Sequence, residues 1–241
     1  MKLAIVSDIH GNLEALERVL GDLSERKPAA VFCLGDFVGY GAAPNECIEQ
    51  LLPHIDGAVA GNHDLAACGR IRLGYFNPDA AAAARWTAQA LTEAHLEYLN
   101  ELPFALSWHG ACVVHASPAE PSEWHYVFSP NDAHHEMQHC HERVCFIGHS
   151  HVPTAFEVDG DFVQERRTPI VTMKEGVRYL VNVGSVGQPR DGDPRAAYLW
   201  WDQEAGTFEH IRLDYDIDGA MQRILAAGLP SFLADRLRVG Q

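Results

Sequence analysis

The chain has 241 residues, of which 47% are hydrophobic and 21% charged, and this is the composition of a globular protein with a sizeable core. Its formal net charge of −15 argues against the binding of bulk nucleic acid, because that function needs Lys and Arg to displace counterions from phosphates. No apolar stretch reaches the roughly 20 residues that a membrane-spanning helix needs, so we expect no membrane partner.

The N-terminus and the cysteines together predict a cytoplasmic protein. The apolar run at residues 3–6 is too short for a signal peptide. The six cysteines include no CxxC pair. Cys33, Cys112 and Cys145 lie in apolar, strand-like runs, where a thiol usually behaves as a small buried hydrophobic side chain. We therefore expect reduced thiols in a reducing compartment rather than a disulfide framework.

The first sixty residues alternate between strand and helix patterns. Short apolar runs predict strands at residues 3–6, 29–34 and 57–60. Helical spacing predicts one helix from Leu13 to Leu23, and a second helix is expected to begin near Pro44. Because strand, loop, helix and strand follow in this order, the pattern indicates a parallel sheet with both faces covered.

Two further regions have helical character. Residues 79–102 are rich in Ala and Leu and predict two helices that break near Thr92. Residues 217–239 predict a closing helical segment that is interrupted near Gly228.

From residue 104 onward the chain is otherwise rich in strand patterns. Strands are predicted at residues 104–108, 111–115, 144–147, 156–158, 162–165, 170–173, 179–183, 196–201 and 207–213. Asp159-Gly160-Asp161 and Glu204-Ala205-Gly206 are typical of hairpin connections. We therefore expect the second half to form a second sheet that packs on the first, within one domain over residues 1–241.

Five polar phrases follow predicted strands and carry side chains that bind divalent cations. They are Asp8-Ile9-His10, Gly35-Asp36, Gly61-Asn62-His63-Asp64, Val114-His115 and Gly148-His149-Ser150-His151. In open α/β sheets, ligands gather at the carboxyl ends of strands. Asp8 and His10 alternate, so an extended strand end would turn both toward one cation, and the same spacing relates His149 to His151. The phrases predict a two-metal site of the kind that cleaves phosphate esters.

These phrases resemble the successive motifs of calcineurin-like metallophosphoesterases over essentially the whole chain. The matching segments read DIHGN, GDFVGYG, GNHD, VVHASP and GHSH. Residues 182–192 also resemble a late motif of the small bacterial and archaeal branch, which has diadenosine-tetraphosphatase-like members. The resemblance implies an α/β fold, a four-layer αββα sandwich of two packed mixed sheets.

The resemblance also implies how two divalent metal ions are held. One would be bound by Asp8, His10, Asp36 and His151, and the other by Asp36, Asn62, His115 and His149. The mixture of oxygen and nitrogen ligands suits Mn, Fe, Zn, Ni or Co better than Ca or Mg. The two ions would activate a water molecule for attack on phosphorus, so no nucleophile from the protein is needed.

His63 follows the ligand Asn62 and is the predicted general acid for the departing alkoxide. Asp64 would orient His63 or stabilise its protonated form. The alternative is that His63 only supports the neighbouring ligands.

The residues that contact substrate are harder to predict. Arg190 is a candidate for a phosphate oxygen, and the alternative is a surface ion pair with Asp191 or Asp193. Tyr40 is a candidate to stack on a leaving group or base, and the alternative is a packed loop aromatic. Residues 118–130, which are rich in aromatic side chains, are expected to form a wall over the site.

One further pattern, His135-Glu136-Met137-Gln138-His139, spells the zinc-protease signature H-E-x-x-H within the run from His134 to His141. The other phrases already supply a complete two-metal site. We therefore interpret this run as a fortuitous, solvent-facing helix, with an auxiliary metal site as the alternative.

The sequence therefore predicts a metal-dependent phosphoesterase that acts on a small phosphodiester, phosphomonoester or nucleotide. A phosphodiester is favoured because the chain has no evident Arg cluster to hold a dianion. The sharper alternative is a dinucleoside polyphosphate hydrolase. An alternative of another class is a scaffold like the retromer subunit that shares this fold. A nuclease for short single strands and a homodimer built on the late strands also remain open.

Overall fold

The computed structural model describes residues 1–241, apart from the side chain of Tyr75. Over this range the strands are β1 (Lys2–Val6), β2 (Ala30–Cys33), β3 (Gly57–Ala58), β4 (Ala105–Trp108), β5 (Ala111–Val114), β6 (Val144–Ile147), β7 (Thr154–Asp159), β8 (Phe162–Arg166), β9 (Ile170–Thr172), β10 (Arg178–Asn182), β11 (Ala196–Asp202) and β12 (Thr207–Leu213). The helices are α1 (Leu13–Arg26), α2 (Pro44–Leu51), α3 (Asn62–Ala67), α4 (Pro78–Ala90), α5 (Glu93–Glu101), α6 (Pro130–Met137), α7 (Ile217–Ala226) and α8 (Ser231–Asp235). Short 3-10 helices lie at Leu52–His54, Leu73–Tyr75 and Arg236–Val239.

The strands form two six-stranded mixed sheets. The first has the order β3-β2-β1-β11-β12-β9, and the second has the order β4-β5-β6-β10-β7-β8. In the first sheet β1, β2 and β3 run parallel, whereas β11 is antiparallel to β1. In the second sheet β5, β6 and β10 run parallel and the remaining pairs are antiparallel. The predicted α/β architecture of two packed mixed sheets is confirmed.

The prediction that the second half builds a separate sheet is wrong for β9, β11 and β12, which belong to the first sheet. Strand β11 pairs with β1, and Leu3 lies opposite Trp201. Residues 196–201 are all buried, so this strand needs a central position with neighbours on both edges. The open edge of β1 provides that position, and for the same reason the first sheet is mixed rather than parallel.

The alternation of side chains along β1 creates two apolar layers. Leu3 and Ile5 face the second sheet and pack in one core with Phe146 and Tyr179. The intervening Ala4 and Val6 face outward and pack in a core with α1 and α2. A strand with both faces covered reads as a continuous apolar run, as residues 3–6 do.

Helices cover the outer faces of both sheets. The apolar face of α1 packs on the first sheet through Leu16 and Val19, and α6 packs on the second through Ala133 and Met137. The four layers are therefore helix, sheet, sheet and helix. Among the described helices, none combines the length and the hydropathy that crossing a membrane requires.

Several local predictions are confirmed. Helices α4 and α5 are separated at Thr92, whose side chain caps α5 by accepting a hydrogen bond from the His95 backbone. The hairpins β7–β8 and β11–β12 turn at the expected positions. Helices α7 and α8 are interrupted around Gly228, which has a φ of +71°.

Candidate metal centre

The seven predicted ligands lie together where β1, β2, β5 and β6 end and the edges of the two sheets meet. One group contains Asp8, His10 and His151, a second contains Asp36, His115 and His149, and a third, which overlaps both, contains His10, Asp36 and His63. Within each group the potential ligand atoms lie within 4.8 Å of one another. The first two groups match the two ligand sets that the family resemblance implies, apart from the shared use of Asp36 and the addition of Asn62.

Asp36 lies between the two groups. Its Oδ2 atom is 3.6 Å from Nε2 of His10 and 3.4 Å from Nε2 of His115. Asp8 is similarly central, with Oδ1 3.2 Å from Nε2 of His151 and 3.9 Å from Nε2 of His115. Two carboxylates flanked by imidazoles on both sides suit a pair of adjacent cations.

The backbone reaches this arrangement through a left-handed conformation rather than through extended strand ends. The φ angles of five ligands are +55° at Asp8, +51° at His10, +52° at Asp36, +64° at His149 and +62° at His151. The prediction that alternation turns Asp8 and His10, or His149 and His151, toward one cation from an extended strand is therefore wrong. His149 and His151 even join different groups. Such conformations cost about 1–3 kcal/mol each, and they occur mainly at functional sites.

Asp64 stabilises this strained loop rather than the ring of His63. Its carboxylate accepts backbone hydrogen bonds from Asp36 at 2.8 Å, Gly61 at 3.0 Å and Val38 at 3.3 Å. Among the described residues the expected contact with the His63 ring is absent, and Nδ1 of His63 has no hydrogen-bond partner. The predicted orienting role of Asp64 is therefore wrong, because its oxygens are already engaged by the Asp36 loop.

Backbone carbonyls orient three of the ligand histidines. Nδ1 donates to a carbonyl in His10 (Val38, 3.0 Å), His115 (Leu34, 2.7 Å) and His151 (Gln188, 2.5 Å). Since a carbonyl can only accept, each Nδ1 carries a proton, and Nε2 is the nitrogen through which each ring would bind a metal. These carbonyls were not predicted, because any residue can supply them and the side chain leaves no signal.

The ligand atoms lack the partners that buried polar atoms normally have. Oδ1 of Asp8, Oδ1 of Asn62, Nε2 of His115 and Nε2 of His149 are buried without a hydrogen bond. A buried polar atom without a partner costs about 1–3 kcal/mol, so four of them in one cluster indicate that something else binds them. The donor set fits two divalent cations.

The electrostatics of the cluster favour the same conclusion. Burial acts to raise the pKa of Asp8, but His151 and His115 lower it below its usual value. Asp36 behaves in the same way, with His115 as its main opposing neighbour. Burial lowers the pKa of His149 to about 3. Burial acts to lower the pKa of His115, but Asp36 and Asp8 raise it to about 9, so a cation that binds there would displace a proton from this ring.

The segment at residues 182–192 contacts the loop that carries Asp8. The Gly187 backbone and the Ser185 hydroxyl both donate to the carbonyl of Asp8 at 2.9 Å. A Cβ atom at Gly187 would lie 1.8 Å from the carbonyl oxygen of Ile9, so only glycine fits here. The loop that carries Asp8 and His10 is thus packed directly against this segment.

We expect Gly187→Ala to displace that loop. Overpacking should lower the free energy of unfolding by about 1–3 kcal/mol, and the metal content should fall with it. Thermal unfolding and elemental analysis measure the two effects. The matched control is Gly21→Ala inside α1, where a Cβ meets only a side-chain atom at 4.0 Å and a gain of about 0.5–1 kcal/mol is expected. Full metal content in Gly187→Ala would contradict this prediction.

His63 adjoins the ligands without belonging to either predicted set. Its ring lies 4.9 Å from that of His10 and 4.4 Å from that of Tyr40, measured between ring centroids. Its backbone N–H donates to Oδ1 of Asp36 at 2.8 Å. Gly39 leaves room for the ring, because a Cβ there would lie 2.5 Å from Nδ1 of His63.

A cleft of about 640 Å³ opens above the cluster. Asn62, His63 and His149 line its floor, and Trp124 and Tyr126 line one side. The Tyr126 ring stacks on that of His149 with 4.2 Å between centroids. The residues from 118 to 130 therefore form a wall beside the site, as predicted.

Comparison with known proteins identifies the family. Residues 1–205 match the model of the calcineurin-like phosphoesterase superfamily domain. The chain belongs to the calcineurin-like phosphoesterase superfamily. The predicted family resemblance is thus confirmed.

Proteins similar to this chain include bacterial and archaeal ones that match it over nearly their whole length. The chain is 37% identical to a metallophosphoesterase from Sphaerobacter thermophilus, with a TM-score of 0.89 over 100% of this chain and 99% of that one. A hypothetical protein from Pyrococcus horikoshii OT3 has the same fold, with 20% identity, a TM-score of 0.82 and coverage of 100% and 98%. An uncharacterized protein of Methanocaldococcus jannaschii is 38% identical, over 99% of this chain and 98% of its own.

Two arginines of the phosphoesterase cleft were not predicted. Arg70 and Arg72 line the side that faces Tyr126, and both are exposed. They lie in an irregular segment after α3 that carries no recognisable motif. Only the path of that segment brings the two residues to the cleft, and Nη1 of Arg70 donates to the backbone carbonyl of Asn100 at 3.0 Å.

The structure favours the packed alternative for Tyr40. The side chain is only 7% exposed and packs in an apolar cluster with α4, α7 and α8. The guanidinium of Arg236 lies over the ring at 4.5 Å from its centroid. Arg236 thus covers one face of the ring, but Tyr40 also lines the cleft, so its stacking on a substrate stays a prediction.

Arg190 is held beside the site and does not form the predicted surface ion pairs. Its Nη2 donates to the Tyr40 hydroxyl at 3.1 Å, and its Nε donates to Oε1 of Gln188 at 3.0 Å. The two nearby carboxylates instead pair with other arginines, Asp191 with Arg212 and Asp193 with Arg195. Arg190 therefore remains a candidate for a phosphate oxygen.

The H-E-x-x-H run does not form a metal site among the residues whose side chains are described. Helix α6 ends at Met137, before His139. Glu136 is buried, and its Oε2 accepts a hydrogen bond from the backbone of Ala119 at 2.9 Å. Glu136 thus supports the wall beside the cleft, and the structure favours the fortuitous reading of this run.

Proposed function

We propose that this phosphoesterase binds two divalent cations from the group Mn, Fe, Zn, Ni and Co, and hydrolyses a phosphodiester bond in a small nucleotide-like substrate. The observation that carries the proposal is the convergence of six Asp and His side chains, with Asn62 at the same cleft; three of the six and Asn62 have a buried polar atom without a hydrogen bond. This cluster lies at the floor of an open cleft. The membership of the superfamily supports the same chemistry at a coarser level.

The bound cations would supply Lewis-acid polarisation of the phosphate and an activated water. Side chains of the protein would supply the proton for the leaving group and the contacts to the remaining phosphate oxygens. His63, at the cleft floor, is suited to protonate the leaving oxygen once the charge of a bound phosphate raises the pKa of its ring, which burial lowers to about 4. Arg72 is suited to contact phosphate oxygens away from the reacting bond, because a guanidinium matches phosphate geometry, whereas Nη1 of Arg70 donates to the Asn100 carbonyl.

The walls of the cleft favour a substrate with an aromatic base. Trp124, Tyr126 and Phe76 line it. A volume of about 640 Å³ lies within the range of small-molecule sites, which is roughly 300–1,000 Å³. The exposed Arg72 at the same cleft suits an additional phosphate, so a dinucleoside polyphosphate is the sharper form of the proposal.

A metal-supplemented screen tests the proposal. The full chain is incubated with each of the five metals and with an aryl phosphodiester, an aryl phosphomonoester, cyclic nucleotides and dinucleoside polyphosphates. We expect hydrolysis of a diester or a dinucleoside polyphosphate to exceed that of the monoester. If no substrate is cleaved with any of the metals, the scaffold alternative replaces the enzyme.

We also propose that the protein works in the cytoplasm on this small phosphorylated substrate. All six cysteines are free, which supports a reducing compartment.

Replacing both wall aromatics tests how the substrate is recognised. Trp124→Ala with Tyr126→Ala should raise KM for a nucleotide substrate by about 5- to 150-fold, because stacking on a base is worth roughly 1–3 kcal/mol. The same variant should change KM for a methyl phosphodiester little. The matched control is Phe162→Ala, which removes an exposed aromatic of β8 that lies outside the cleft. Equal effects on both substrates would contradict recognition of a base.

A further inference from the structure

Three cysteines meet under α6, on the outer side of the second sheet and outside the phosphoesterase centre. Cys112 of β5 lies directly opposite Cys145 of β6 in the parallel register. Cys140 comes from the segment that follows α6. The three Sγ atoms all lie within 4.8 Å of one another. Three separate segments of the chain thus bring one thiol each to a single point.

The spacing of the sulfur atoms is close to that of a metal thiolate site. Around one Zn²⁺ ion, sulfur atoms lie about 3.8–4.0 Å apart, since each Zn–S bond is about 2.3 Å long. The observed limit of 4.8 Å therefore requires only small side-chain rotations to reach this geometry. The cysteines are free thiols, so no disulfide competes for the sulfur atoms.

The surroundings of the cluster are apolar, with one cation and one carboxylate beside it. Cys140 and Cys145 are buried in the layer that includes Met137. The Arg178 guanidinium donates to the backbone carbonyls of Cys140, Met137 and Glu142. Oε2 of Glu142 lies 3.6 Å from Sγ of Cys140. A fixed positive charge next to three thiols offsets part of the negative charge that thiolates would carry.

We propose that Cys112, Cys140 and Cys145 bind one thiophilic metal ion of the Zn²⁺ class, and that the Glu142 carboxylate, which contacts only Cys140 of the three, completes the site after its side chain rotates. Three metal–sulfur bonds form, and protons from the thiols pass to solvent. Three thiolates and one carboxylate carry four negative charges, which the divalent ion and Arg178 reduce to one. Soft thiolate ligands select this class of metal over Mg²⁺, Ca²⁺ or Mn²⁺.

The bound ion would join the end of α6 to the two strands that lead to the phosphoesterase centre. Cys112 precedes His115 by three positions on one strand, and Cys145 precedes His149 by four on the next. At about 3.3 Å per residue, the thiolate site lies roughly 10–13 Å from these ligands. The ion would therefore act as a structural cross-link behind the catalytic ligands, without contacting substrate.

Cadmium titration of the reduced full chain tests the proposal, with the ultraviolet sulfur-to-cadmium charge-transfer band as the signal. Among the described residues the phosphoesterase centre contains no cysteine, so cadmium bound there produces no such band. We expect the band to stop growing when one cadmium ion is bound to the three cysteines of each chain. The band should be lost in Cys112→Ser and in Cys145→Ser. Cys68→Ser, which removes a partly buried thiol at the end of α3, is the matched control and should keep the band.

A second measurement guards against variants that fail to fold. Cys112 is only partly buried, so Cys112→Ser should keep the thermal unfolding of the metal-free chain. It should also retain one zinc ion fewer than the parent after dialysis. The absence of a charge-transfer band in the parent would overturn the proposal, as would a band that persists unchanged in Cys112→Ser and Cys145→Ser. Neither outcome bears on the phosphoesterase proposal, because the signal comes from sulfur alone.

Discussion

Asp36→Asn should lose at least one of the two metal ions and reduce kcat/KM for an aryl phosphodiester by a factor on the order of 10³ or more. Asp36 lies between the two ligand groups, so its carboxylate is the group best placed to bridge two cations. Stabilisation of transition-state charge by a metal is worth several kcal/mol, and each 1.36 kcal/mol is a tenfold change in rate. Elemental analysis and steady-state kinetics with added Mn²⁺ measure the two quantities.

Thermal unfolding separates loss of the metals from loss of the fold in Asp36→Asn. A ligand that binds only the native state stabilises it in proportion to the logarithm of its concentration over Kd. The parent should therefore gain stability when Mn²⁺ is added, and the variant should gain much less. Without metal, the variant should be less stable than the parent at neutral pH, because the imidazoles of His115, His63 and His10 outweigh burial and hold the pKa of Asp36 below its usual value, so its ionised form stabilises the folded state.

Asp22→Asn is the matched control for Asp36→Asn. Asp22 is also buried, but its carboxylate accepts hydrogen bonds from Tyr198 at 2.6 Å and Arg26 at 2.8 Å, away from the metal centre. We expect it to lower stability and to keep the metal content and the response to Mn²⁺. If Asp36→Asn retained two metals and full activity, the dinuclear proposal would be wrong.

The convergence of the ligands could be predicted from the sequence, whereas their conformation could not. Asp8, Asp36, His115 and His149 each come shortly after a short apolar strand, and strands that run in one direction end at one edge of a sheet. The left-handed φ angles at Asp8 and His149 could not be predicted from the sequence. Such angles usually occur at glycine, and neither position is glycine. The surrounding hydrogen bonds impose them, and those bonds depend on the tertiary structure.

The sequence also did not predict which strands pair with one another. An apolar run such as residues 196–201 indicates a buried strand but does not say which sheet the strand joins. For the same reason the meeting of Cys112 with Cys145 was missed, since it depends on the register between β5 and β6. Read singly, each cysteine is a small buried hydrophobic residue, and together they form a candidate site.

His63→Ala should keep both metals and lower kcat by about 10²- to 10⁴-fold on a substrate with a poor leaving group, which is the usual contribution of a general acid. The backbone N–H of residue 63 still donates to Asp36 in this variant, so the ligand loop keeps its support. The measurement is kcat for an alkyl and an aryl phosphodiester with added Mn²⁺, together with elemental analysis. The matched control is His54→Ala, which removes an exposed histidine of the Leu52–His54 turn.

The dependence on the leaving group decides between the two interpretations of His63. A departing alkoxide needs a proton, whereas an aryl oxide of low basicity leaves without one, so loss of a general acid slows the alkyl ester far more than the aryl ester. A histidine that only supported the ligands would affect both esters equally and would lower the metal content. Because the His63 ring lies 4.9 Å from that of His10 and lines the cleft, either role is compatible with its position. Retained metal with unchanged activity on the alkyl ester would exclude His63 as the acid and assign proton transfer to solvent.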